Sequence, residues 1–133
     1  MIADLTDCCG SFASDIDTLA SAVLVRIQNE PARVVTDARG RITSINPAFS
    51  AICGYTFEEV RGKKPGDFLQ GPETDNSSVE KLRKAIRNRT DCTATMVNYH
   101  KDGSTYHVRI ELKPFFKKNG ALAGFRAAEW RIP

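Results

Sequence analysis

Residues 92–132 read CTATMVNYHKDGSTYHVRIELKPFFKKNGALAGFRAAEWRI, and this stretch decides the fold. It contains three extended segments, roughly 92–100, 104–115 and 121–132. Asp102-Gly103 and Asn119-Gly120 sit between them, dipeptides that favour the positive-φ turns of tight hairpins. The chain therefore ends in three antiparallel strands.

The same signal recurs upstream. Ala32–Thr36 and Arg41–Ile45 flank Asp37-Ala38-Arg39-Gly40, which gives a further hairpin. Between the two strand groups the pattern turns helical. Asn46-Pro47 opens a helix, with Pro where its missing N–H costs nothing, and Phe49 and Ile52 form its apolar face up to Gly54. Thr56 with Glu59 three residues on makes a capping box for a short turn. Residues 62–75 are rich in Gly, Pro and turn formers and predict a loop with a brief helical turn. Residues 76–89 predict a helix with Val79, Leu82 and Ile86 on one face. The expected fold is α+β: one antiparallel sheet of about five strands with short helices grouped on one face.

The N-terminal 30 residues read as a separate flanking element. Phe12, Ile16, Leu19, Val23 and Ile27 recur in steps of four and three over residues 11–28, an apolar helical stripe. Such a stripe packs on its own domain or pairs with a second copy, and a homodimer is the favoured reading. Trp130, the only tryptophan, is either a second anchor for that contact or ordinary packing. The domains expected are 1–30, a flanking and dimerising helix, and 31–133, the domain built on the sheet.

Composition bounds the function. The 133 residues are 41% hydrophobic and 26% charged, with formal net charge +3, an ordinary globular balance. Lys63-Lys64 and Lys117-Lys118 read as solvated surface, too sparse for a nucleic-acid footprint. Cys8, Cys9, Cys53 and Cys92 lack metal-site spacing and read as reduced thiols. No run approaches a membrane span and no signal peptide is visible, so a cytoplasmic location is expected. Asp37, Glu58, Glu59, Glu73 and Asp75 are scattered acids without a nucleophile–base pairing, and no catalytic role is expected.

From about Arg33 to Ile132 the chain resembles the PAS family of sensor domains. The match rests on Asp37-x-x-Gly40, Ile45-Asn46-Pro47-Ala48-Phe49, Gly54-Tyr55-Thr56-x-Glu58-Glu59-Val60-x-Gly62 and Asn98-Tyr99-x-Lys101-Asp102-Gly103, in this order and spacing. The segment Phe68-Leu69-Gln70-Gly71-Pro72-Glu73-Thr74-Asp75 is similar to the LOV subgroup, whose members bind flavin and sense blue light. In that subgroup a cysteine just before this segment forms a photo-adduct. Gly66 stands at its position here, so the resemblance implies no adduct chemistry. Gln70, Arg83 and Asn98 match LOV positions at the ring edge, the phosphate and the pyrimidine end. Three further positions depart: Asp67 replaces a phosphate-binding arginine, Val108 a ring-binding asparagine, and Glu129 the final-strand glutamine. A buried Glu129 must be protonated or paired. The Lys64-Pro65-Gly66 stretch reads one residue longer than in LOV domains, as in many PAS domains of histidine kinases and chemoreceptors.

Three functional readings stay open at this point. The favoured one is a PAS module that senses a small ligand or partner, with a pocket near Gln70, Asn98, Val108 and Glu129, and relays the change to an output domain or dimer partner. The second is an FMN or FAD redox or light sensor. The third is an interaction module with an unfilled pocket. Haem is not expected, because the helix over residues 76–89 has no histidine. His100 and His107 read as surface or cross-strand residues.

Overall fold

The computed structural model describes residues 30–133. The expected helix over 11–28, with Phe12, Ile16, Leu19 and Val23, lies outside the described residues, as do Cys8 and Cys9. The elements run β1 (Ala32–Asp37), β2 (Ile42–Ile45), α1 (Pro47–Cys53), α2 (Phe57–Val60), α3 (Pro65–Leu69), α4 (Asn76–Asn88), β3 (Cys92–Tyr99), β4 (Thr105–Phe116) and β5 (Leu122–Ile132). The strands form one antiparallel sheet in the order β2-β1-β5-β4-β3. The last strand in sequence thus lies at the centre, paired with the first.

Period-2 alternation decides which side of each strand is buried. On β4, Tyr106, Val108, Ile110 and Leu112 point inward, and on β3 Ala94, Met96 and Asn98 do so. Phe49, Cys53, Val60 and Leu69 close over part of this inner face and form the main core with Val34, Ile42, Met96, Tyr106, Val108 and Ile110. Tyr55 and Phe68 pack edge to face beside it, centroids 4.9 Å apart. On the outer face Arg109 stands opposite Trp130 in register, its guanidinium 4.6 Å above the indole centroid.

Local chemistry makes the turns. The Asp37 carboxylate accepts from the backbone N–H groups of Arg39 and Arg41 at 2.9 and 3.0 Å, and Gly40 takes φ +82°. These contacts hold the Asp37 carboxyl below its usual range, the Arg41 N–H bond foremost. Asn46 does more than cap α1. Its Oδ1 accepts from Phe49 N and Arg33 N, and its Nδ2 donates to Pro31 O, which ties α1 to the start of the sheet. The Thr56–Glu59 capping box is present, and Glu59 also pairs with Lys101 of the β3–β4 turn.

The α4 face differs in one respect from the expected stripe. Val79 and Ala85 are buried and Leu82 half-buried, but Ile86 is 41% exposed. No described helix is long and apolar enough to cross a membrane.

Candidate functional site

The helices do not cover the whole inner face of the sheet. Between the sheet, α3 and α4 lies a cavity of about 590 Å³, within the range of small-molecule sites. Its floor is the inward set of four strands: Val34 and Thr36 of β1, Met96 and Asn98 of β3, Ile110 and Leu112 of β4, and Phe125, Ala127 and Glu129 of β5. Pro65 to Asp67, Leu69 and Gln70 form one wall, and Val79, Leu82 and Ile86 the other. Ile86 is exposed because it lines this cavity.

Four of the five candidate residues read from the sequence meet here. Gln70, Arg83, Asn98 and Glu129 all line the cavity. Val108 does not. It is 0% exposed and belongs to the packed core with Phe49 and Cys53, so it backs the site from within the core.

Burial makes the floor chemically unusual. Asn98 is 1% exposed and Glu129 4%, yet Asn98 Nδ2 and Glu129 Oε1, like the buried Tyr106 hydroxyl, have no hydrogen-bond partner among the described residues. Buried polar groups are nearly always paired, and each orphan costs about 1–3 kcal/mol. No cation among the described residues compensates Glu129, and burial pushes its carboxyl up to about 7. Below about that pH it is a neutral acid able to donate as well as accept. Two neighbours share its environment. Burial pushes the Cys53 thiol up to about 11 and the Tyr106 hydroxyl well above its usual range, and in both the Glu129 charge adds to the effect.

The loop after α3 is held tightly against β3. Thr74 Oγ1 accepts from Gly71 N at 3.0 Å and donates to Val97 O at 2.8 Å, and Ser78 Oγ donates to Thr95 O at 2.8 Å. These bonds place Gln70 beside the cavity. Arg83, by contrast, reaches only Glu80 one turn back at 3.0 Å, with both side chains largely exposed.

The rim holds residues that sequence reasoning set aside. Arg39 and Gly40 of the β1–β2 turn, Lys64 ahead of α3, and Arg87 of α4 all line the same cavity. By sequence Lys64 reads as solvated surface, and nothing periodic marks Arg39 or Arg87. Among the described residues no cluster of His, Cys, Asp and Glu is arranged to hold a metal.

The fold agrees with the comparisons to known proteins. Residues 31–129 match the family model described as PAS domain. The chain belongs to the PAS domain family. Among curated relatives, rice (Oryza sativa subsp. japonica) Phototropin-2 is 37% identical over 95 residues, covering 69% of this chain and 10% of that protein. Blue-light-activated histidine kinase 1 of Erythrobacter litoralis is 33% identical over 91 residues, 68% of this chain and 25% of that one. The Blue-light photoreceptor of Listeria innocua is 33% identical over 92 residues, 67% and 36% respectively. The chain thus spans only a fraction of the length of these relatives. Among solved structures, a Light-Oxygen-Voltage domain studied with a flavin analogue superposes with TM-score 0.75 at 29% identity, covering 85% of both chains. The LOV domain of the Erythrobacter litoralis blue-light-activated histidine kinase gives TM-score 0.72 at 28% identity, covering 77% of this chain and 95% of that one. This PAS domain is a sensory module with LOV-domain relatives.

Proposed function

We propose that the PAS domain binds a planar heterocyclic ligand of the flavin type and passes the state of that site to an attached output domain or a second copy. The observation that carries this is the pair of orphaned atoms, Asn98 Nδ2 and Glu129 Oε1, on the floor of the 590 Å³ cavity. A heterocycle edge that alternates acceptors and donors answers both, and Gln70 offers a third amide at the wall. The apolar floor around Ile110, Leu112 and Phe125 suits the flat face of a ring system. A bound flavin supplies blue absorption and reversible redox chemistry. Gly66, at the cysteine position of LOV domains, offers no thiol, so the protein's own response runs through hydrogen bonds at Gln70, Asn98 and Glu129.

The test is the absorption spectrum of freshly purified protein from about 300 to 700 nm, before and after adding FMN. A structured blue band that bleaches on reduction supports the proposal, and Gln70→Ala should lower cofactor occupancy. Colourless protein that takes up no added flavin overturns it.

A second reading concerns self-association. The outward-facing Trp130 beneath Arg109, together with the Phe12, Ile16, Leu19 and Val23 stripe, favours a homodimer through the outer sheet face and flanking segment. Light scattering of a Leu19→Asp, Val23→Asp variant should give a monomer, and a surviving dimer refutes the stripe.

A further inference from the structure

We infer that the tip of the β4–β5 hairpin docks on an anionic lipid surface, with Phe116 entering the interface and Lys113, Lys117 and Lys118 meeting the headgroups. None of these residues lines the cavity, and the inference stands apart from the flavin reading. Strand register sets how far the hairpin reaches. The pairing of β3 with β4 ends at Leu112, opposite Cys92, and that of β1 with β5 ends at Gly124, opposite Asp37. β4 and β5 stay paired as far as Phe116 and Leu122, so the tip projects beyond both neighbouring strands. A register shift between Phe115 and Phe116 interrupts the alternation there, the kind of irregularity that re-aims a side chain. Phe116 is left 50% exposed. Ile86, the other exposed large apolar residue among those described, lines the cavity. Phe116 has no such use.

The charge around that ring has one sign. No acid stands between Glu111 and Glu129 in the chain. Lys113, Lys117, Lys118 and Arg126 are exposed and take part in no ion pair among the described residues. Arg126 covers the half-buried Phe115, its guanidinium 4.9 Å from the ring centroid. The acids next to the hairpin are already engaged: Glu111 pairs with Arg109, and Asp37 accepts from the Arg39 and Arg41 backbone. An exposed aromatic ring among unpaired cations fits the layer where anionic headgroups meet acyl chains. The turn is suited to losing water as well. Lys117 N donates to Ala121 O at 2.7 Å, Gly120 N to Lys117 O at 2.9 Å, and Ala121 N to Asn119 Oδ1 at 3.0 Å, so these groups carry no penalty on desolvation. A folded protein is the poorer partner. A two-stranded tip supplies little of the roughly 1,000 Å² that a specific protein interface buries, whereas an anionic surface attracts each cation separately.

The experiment sediments the full chain with vesicles of phosphatidylcholine alone and of phosphatidylcholine mixed with phosphatidylserine, at about 0.1 M salt. Protein should pellet with the mixed vesicles only, and about 1 M salt should release it. A Lys117→Ala, Lys118→Ala double variant and a Phe116→Ser variant should each bind the mixed vesicles roughly tenfold or more weakly. These substitutions lie on the exposed tip, and equal melting temperatures confirm the fold. Wild type that stays in solution with mixed vesicles, or that pellets equally with both kinds, overturns the inference. Undiminished binding by both variants overturns the assignment to the hairpin, because another segment then holds the lipid. Polyglutamate tests the other occupant. If it shifts the amide resonances of residues 115–122 while vesicles leave them unmoved, the tip takes an acidic peptide and the lipid surface falls.

Discussion

Gly71 lies flat against the ring of Tyr99: a Cβ placed on Gly71 would stand 2.6 Å from Tyr99 Cε1. The same tyrosine accepts a hydrogen bond from Glu73 N through its hydroxyl, at 2.9 Å. The loop that carries Gln70 is thereby clamped on the strand that carries Asn98. Two motifs 28 residues apart are halves of one contact.

Gly71→Ala should therefore destabilise the domain by about 1–3 kcal/mol, as overpacking does, and weaken any ligand held by Gln70. Tyr99→Phe keeps the ring and loses one exposed hydrogen bond, worth about 1 kcal/mol or less. Urea unfolding of the two variants decides the matter. If Gly71→Ala is the milder change, the ring contact does not constrain the loop.

Asn98→Leu removes an orphaned donor and fills much the same volume. Because an unpaired buried amide already carries a penalty of about 1–3 kcal/mol, the ligand-free variant should be as stable as wild type or slightly more so. Flavin uptake should be lost in the same protein. A large drop in melting temperature would show that Nδ2 has a partner in solution.

Two carboxyl groups set opposite pH limbs. Glu129 has a folded pKa raised from 4.5 to about 7, so the native state holds a proton that the unfolded chain releases. Its stabilising contribution is full below pH 4.5 and is lost as pH rises through 7, with a slope approaching about 1.4 kcal/mol per unit between those values. Glu59 is the reverse case. Its bond to Lys101, then the Thr56 backbone N–H, lower its pKa from 4.5 to about 2. That contribution is present above pH 4.5 and is lost as pH falls through 2. Chemical denaturation across pH 2–8 should show both limbs in the ligand-free protein. Glu129→Gln should flatten only the upper limb, and Glu59→Gln should make only the lower one shallower, since Asp37, Asp75 and Asp102 are lowered as well. An unchanged upper limb in Glu129→Gln would mean that this carboxyl is already ionised when buried.

Much of the fold was legible because its signals are local. The Asp37 turn, the Asn46 and Thr56 caps and the Asp102-Gly103 and Asn119-Gly120 hairpins are each made within a few residues. The candidate positions Gln70, Arg83, Asn98 and Glu129 were legible only through a family resemblance, and they converge on the cavity. Val108 shows where such reading stops. Its place on the inner face of β4 follows from alternation, but alternation does not say which part of an inner face is covered by helices. The packing of Phe49 and Cys53 over that part closes it. Ile86 is the converse: on the apolar face of α4 by spacing, yet exposed at the open end.

The sequence by itself determined the elements, their antiparallel pairing and the side of each strand that is buried, because turn chemistry and residue alternation act over neighbouring positions. Only the tertiary structure decided that part of the sheet's inner face stays uncovered, that Asn98 Nδ2 and Glu129 Oε1 are buried there without partners among the described residues, and that Arg39, Lys64, Arg83 and Arg87 line the same cavity. Those facts depend on distances between segments that no local propensity encodes, and they arise only when helices, loops and sheet compete for the same buried surface.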